Sequence, residues 1–318
     1  MGKSYSVNGY LNAVLRRSSP TLLVEGPTDK GAMHRILAEE PSTERVVSID
    51  HVALIEDTSL CGLGAKERVL LLKSNVVELT DTHPRLQTTF ACLVDREWDG
   101  LELDPESLET KWSLPQQGNT HFVTIGHSIE NYHFDRECVL QYLKFAFSEH
   151  YTQALEERLN NMFLGVIALA GALSMVAQTD ACIGRMSGLI CVQHIESRAN
   201  SLYLASSFVD AAHGRGVPDP EALRRRINDA VDQYWSDLAS SPHAHWLLHG
   251  HVGSDVVWAS VGHIAREAGM PHEAAQQVAR GFVAERRRHW LHWLATGPAD
   301  RRQPLEAAPK WLRSVGGT

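Results

Sequence analysis

Short apolar runs alternate with amphipathic stretches from Thr21 to about Phe134, the pattern of a sheet flanked by helices. Residues 21–25 (TLLVE) predict a strand that stops at Gly26-Pro27, and Thr28 is placed to cap a helix running through Met33, Ile36 and Leu37. Residues 46–55 supply the next extended stretch. Past Gly62 and Gly64 the spacing of Val69, Leu72, Val76 and Leu79 predicts a second helix. Residues 90–94 (FACLV) lack polar alternation, as a strand covered on both faces does, and residues 121–125 (HFVTI) give a fourth strand. The order is β-α-β-α-β, a polar excursion, then β.

After Asp135, a suitable N-cap, the period becomes helical, with Val139, Leu140, Leu143 and Phe147 on one face. The expected class is α/β. A mostly parallel sheet domain with an N-terminal helix should cover 1–135, and an all-α domain 136–318. Breaks fall at 214–220 (GRGVPDP) and 240–242 (SSP), and the Gly/Pro-containing tail after Ala295 is expected to fray. Residues 162–177 (MFLGVIALAGALSMVA) carry no charge but fall short of the roughly 20 needed to span a bilayer. Glu156, Glu157 and Arg158 lead into them without a cationic flank, so the expectation is a buried helix. The same stretch suits a homodimer seam as readily as a monomer core.

Composition narrows the classes. The chain has 318 residues, 43% of them apolar and 21% charged, an ordinary globular balance. Its 38 acidic and 30 basic side chains give a net charge of −8, so a nucleic acid would have to meet a local basic patch. The five cysteines include no C-x-x-C pair, and no apolar stretch follows the first lysine of the N-terminus. Both features point to a reducing cytoplasm.

The informative chemistry is where acids follow strands. Glu25 closes the first strand, with Asp29 one turn on, and Asp95, Glu97 and Asp99 (VDREWD) follow the third. The carboxyl ends of parallel strands share one edge, so these acids could converge there. Bunched carboxylates repel one another, a cost that a hard divalent cation such as Mg²⁺ would offset. The plainer alternative is a strand end and a solvated acidic turn.

Residues 22–30 (LLVEGPTDK) and 93–97 (LVDRE) resemble the two acidic motifs of the Toprim domain, a strand ending in Glu-Gly and a strand running into Asp-x-Asp. Glu97 stands where the second Asp is usual, with Asp99 as a possible substitute. Residues 126–132 (GHSIENY) are similar to the Ser-Ile-Glu-Asn-Tyr segment of a Toprim family paired with ATPases in anti-phage defence, typified by the nuclease effector of the PARIS system. Residues 249–255 (HGHVGSD) loosely resemble a later element of that family. Toprim domains also occur in nucleases of the overcoming-lysogenisation-defect class. The resemblance implies Mg²⁺-dependent phosphodiester cleavage, with Mn²⁺ as substitute, and RNA, tRNA above all, as substrate. It implies Glu25, Asp95 and Glu97 as catalytic residues, and Glu25, Asp29, Asp95, Glu97 and Asp99 as metal ligands. Lys30, Glu130, Asn131, His249 and His251 become candidate substrate contacts, with Asn131 orienting Glu130.

Other signals are weaker. His243, His245, His249 and His251 form two H-x-H pairs that match no closed zinc signature. Cys92 sits inside a strand and reads as core. Arg224–Arg226 and Arg286–Arg288, the latter followed by Trp290 and Trp293, could grip nucleic acid, although residues 284–294 also read as a helix with tryptophans inward and arginines in water. No Walker A sequence is present, so an ATPase would be a separate subunit, as the resemblance implies. The competing function is a catalytically silent Toprim-fold binding or regulatory subunit, or a nuclease acting on DNA. Topoisomerase or primase chemistry ranks last, because no Tyr-bearing cleavage domain or zinc module accompanies the motifs.

Overall fold

The computed structural model describes residues 4–39, 46–100, 102–103, 110–111, 113–235 and 243–315. In chain order it carries α1 (Val7–Arg16), β1 (Thr21–Val24), α2 (Pro27–Ala38), β2 (Ser48–His51), α3 (Ala65–Glu78), α4 (Leu86–Thr89) and β3 (Phe90–Val94). Short strands β4 (Glu102–Leu103) and β5 (Thr110–Lys111) precede β6 (His121–Val123), α5 (Arg136–Ala146), α6 (Gln153–Thr179) and α7 (Ile183–Met186). The remainder is β7 (Ile195–Arg198), β8 (Ser201–Leu204), α8 (Ser207–Gly214), α9 (Pro220–Ala230), α10 (Gly250–Glu267), α11 (His272–Arg280), α12 (Val283–Thr296) and α13 (Ala307–Val315). The class is α/β, a parallel sheet plus an extensive helical region.

Two compact units emerge, one of residues 1–96, 114–125 and 291–318, the other of 97–113 and 126–290. This differs from the expected division at 135. In the first unit four parallel strands run in the order β2-β1-β3-β6, with Val24 opposite His51 on one side and Leu93 on the other. All of β1 and β3 is buried, which is why their sequences lack polar alternation. Tyr10 and Val14 of α1 join Val69, Leu72 and Val76 of α3 in one core cluster with Leu23, Cys92 and Val94.

The tail corrects the expectation of fraying. Leu294, Leu305, Ala308 and Leu312 are buried, α13 packs on β1 and α2, and Trp311 meets Phe122 with ring centroids 6.3 Å apart. Arg302 donates to the carbonyls of Ala295 (2.7 Å) and Gly297 (2.8 Å), and its Nε donates to Glu306 at 2.6 Å. Gly297 and Pro298 mark a turn between packed segments, so the Gly/Pro signal reported a bend, not an end of order.

In the second unit α6 is the spine. It is the one described helix long and apolar enough to cross a membrane, and 83% of its most apolar window is buried inside the structure, as expected of a core helix. Thr152 caps it through the Leu155 N–H at 3.2 Å, and Asp135 caps α5 through the N–H groups of Glu137 and Cys138. This unit is not all-α. Residues 195–204 form the antiparallel hairpin β7–β8, whose turn places Ala199 at φ 52°, and β4 pairs with β5 in the polar excursion. The helical period on either side masked a hairpin too short to impose its own alternation.

Candidate functional site

In the first unit the sheet places two acids side by side. Glu25 follows β1 directly and Asp95 follows β3, its neighbour, so both stand at the carboxyl edge. A Glu25 Oε1 accepts the Asp95 N–H at 2.7 Å, which fixes the glutamate across the two strand ends. Both residues are half-buried. Asp29 is buried, and its Oδ2 accepts the Gly26 N–H at 2.8 Å, so one oxygen of this predicted ligand caps α2. Lys30 lies in the same first turn.

Arg96 was overlooked by the sequence reading. It is only 1% exposed; its N–H donates to Thr124 Oγ1 at 2.9 Å and its Nη1 to the Ile125 carbonyl at 3.2 Å. Lys66 Nζ donates to the Arg96 carbonyl at 2.9 Å. A guanidinium buried beside Asp95 anchors the end of β3 to the segment after β6. The signal was available in retrospect: an arginine directly behind an apolar strand, inside an otherwise acidic run.

The thiol reading agrees with the geometry. Cys92 is buried with its Sγ 3.2 Å from His121 Nδ1, and burial pushes its pKa up to about 11, far from a thiolate nucleophile.

The second unit holds Glu97, Asp99, Glu130, Asn131, His249 and His251. Glu97 and Asp99 are exposed; Glu97 adopts φ 55°, and its N–H donates to the His127 carbonyl at 2.7 Å. Asn131 belongs to the single-turn helix Ile129–His133 and is fully buried at 0% exposure. Its Oδ1 accepts the Ser128 N–H at 2.9 Å, and its Nδ2 donates to the carbonyls of His245 (2.7 Å) and Leu248 (2.9 Å). The expectation that Asn131 orients Glu130 is corrected: the amide clamps two loops together, leaving no N–H for a carboxylate.

Two glycines make that clamp possible. A Cβ on Gly250 would stand 1.9 Å from Ser128 Oγ and 3.3 Å from Glu130 Oε2, and one on Gly126 would stand 2.8 Å from the Asn131 side chain. Glu130 therefore lies against the start of α10. His249 caps that helix through Nδ1, which accepts the Val252 N–H at 3.4 Å, and burial, reinforced by exposed His251, pushes it down to about 4. Its ring lies 4.3 Å from that of His127, which meets Trp98 edge-on at 5.1 Å. Trp246 is wedged between His245 and Tyr132. Asp255 is half-buried, and its Oδ2 accepts the Gly188 N–H at 2.7 Å.

Half of the six arginines in the two clusters are engaged within the protein. Arg224 pairs with Glu221 at 2.7 Å and Arg226 with Asp180. Trp290 and Trp293 are buried as expected, and Arg287 and Arg288 face water, but Arg286 turns inward over the Trp258 ring at 4.5 Å and donates to the Val278 carbonyl at 3.1 Å. A ring face that attracts a cation explains why one arginine of three leaves the solvent.

Among the described residues no three His, Cys, Asp or Glu side chains gather as a group that could hold a metal ion. Mg²⁺ is commonly held by one or two carboxylates, with waters and substrate phosphates completing its octahedron. Glu25 and Asp95, on neighbouring strand ends, are oxygen donors of that hard kind. No protein-family model matches the chain, and no curated protein matches it.

Proposed function

We propose that the chain is a metal-dependent phosphodiester nuclease of Toprim type, acting on nucleic acid at the carboxyl edge of its parallel sheet. The observation that carries this reading is the 2.7 Å bond from the Asp95 N–H to Glu25, which joins two acidic strand ends at the edge where α/β sheets build sites. Mg²⁺, or Mn²⁺ in its place, when bound supplies Lewis-acid polarisation of a phosphoryl oxygen. Asp95 and Glu25 are the groups to hold it, and Glu25 is the candidate to take the proton of the attacking water or hydroxyl. RNA, and tRNA in particular, is the favoured substrate on the motif resemblance, which also suggests anti-phage defence and a separate ATPase subunit; the apolar stretch 162–177 suggests a homodimer, and the cysteine pattern a cytoplasmic setting.

Purified protein incubated with Mg²⁺ and pools of RNA and DNA tests the reading. Cleavage should disappear in Glu25→Ala, and an active Glu25→Ala protein rejects the mechanism. The alternative, a silent binding or regulatory subunit, draws support from Asp29, which spends a carboxylate oxygen on its own helix cap. It expects no Mn²⁺ binding by calorimetry and no loss of partner binding in Asp95→Ala.

A further inference from the structure

His51 closes β2, and the strand register sets it opposite Val24, so the imidazole is rooted one strand away from Glu25. Its Nδ1 is buried and has no hydrogen-bond partner. Among the described residues no hydrogen bond engages Nε2 either, and that atom is not among the buried unpaired ones, so the half-buried ring opens to solvent on that side. A buried ring nitrogen left unpaired is costly, and proteins keep few of them.

Lys30 stands in the first turn of α2, a helix that packs on β2. It makes no salt bridge with a described carboxylate, and its charge is felt by the rings of both His34 and His51. The nearby acids are otherwise engaged: Asp50 pairs with Arg17, Asp29 caps α2, and Glu25 accepts from the Asp95 N–H. The sheet edge therefore carries an ammonium with no salt-bridge partner among the described residues and an imidazole with an unpaired nitrogen, near the two acidic strand ends. Lysine serves phosphate as a point charge, and His51, whose pKa burial and Lys30 hold down, offers a neutral imidazole N–H to a phosphate oxygen.

We propose that Lys30 and His51 form a phosphate-binding subsite at the carboxyl edge of the first unit, seating a backbone phosphate of the substrate beside the one under attack. The subsite's part in cleavage rests on the nuclease reading; its affinity for phosphate does not.

The test is titration of the full chain with inorganic phosphate, followed by calorimetry and by the His51 ring resonances. Wild-type protein should bind saturably with the His51 signals moving. Lys30→Ala and His51→Ala should each weaken binding about tenfold with unchanged melting temperature, while Glu25→Gln retains it. Wild-type protein that does not bind, or wild-type affinity in either variant, overturns the subsite. Cleavage assays on the same proteins separate the two ideas. Phosphate binding without any Mg²⁺-dependent cleavage removes the nuclease reading alone, and full cleavage of RNA by both variants removes the subsite alone.

Discussion

The carboxyl edge of the sheet and the Asn131 clamp are built from similar residues and come to opposite ends. At the sheet edge, Glu25 accepts the N–H of a neighbouring strand end, with Lys30 in the next helical turn and an unsatisfied histidine nitrogen one strand away. In the helical unit, Asn131 satisfies every polar atom of its side chain against its own protein and is sealed from water. Polar groups that an apolar strand delivers to an edge keep chemistry to spare, whereas polar groups that close a loop on a helix start are consumed by architecture. Motif membership did not distinguish the two.

Substitution should separate these roles. Glu25→Ala is expected to lower Mg²⁺-dependent cleavage by about 10³-fold or more while the protein still folds. Activity and urea midpoints on the same preparation decide it, and a large stability loss would make Glu25 structural. Asn131→Ala should do the reverse. It strands two carbonyls and one N–H, and at about 1 kcal/mol or more each the loss is roughly 3 kcal/mol or greater by denaturant titration. Asn131→Ala protein of normal stability would dissolve the contrast.

Gly250→Ala sharpens it further. Its new methyl group meets Ser128 Oγ, so the cost should be about 1–3 kcal/mol. Ser128→Ala should recover part of that in the double variant, a non-additivity measurable by a thermodynamic cycle.

A further effect is in pH. His133 is buried against the Trp290 face, and burial, with Arg286 adding, pushes its pKa down to about 3. It is neutral in the folded protein, while in the unfolded chain it takes a proton below about pH 6.5. Between those values the unfolded chain binds more protons. Stability is therefore full above pH 6.5 and falls as acid is added toward pH 3, by up to about 1.4 kcal/mol per pH unit for this residue. Urea midpoints at pH 7 and pH 5 measure the slope, and His133→Phe should flatten it.

Much of the first unit was legible because its strands are apolar throughout and its helices keep a clean period. Residues 21–25 and 90–94 predicted β1 and β3 to within a residue, and their acidic successors followed from the same boundaries. What escaped depends on distant pairing. His51 looked like the middle of an extended stretch, and only the register with Val24 brings it to the edge. Arg96 hid in an acidic run because burial of a charge depends on carbonyls some thirty positions away. Asn131 was recognised as a motif residue, but its partners lie at His245 and Leu248, beyond any local pattern.

The return of residues 291–315 to the sheet has a consequence for synthesis. The strands of the first unit leave the ribosome early, yet the helix that covers β1 and α2 emerges only after the whole of residues 126–290. At about 5–20 residues per second the uncovered face waits on the order of ten seconds or more. During that interval the nascent chain presents apolar surface to chaperones, and a stop codon anywhere past Trp290 would leave the sheet without its last layer.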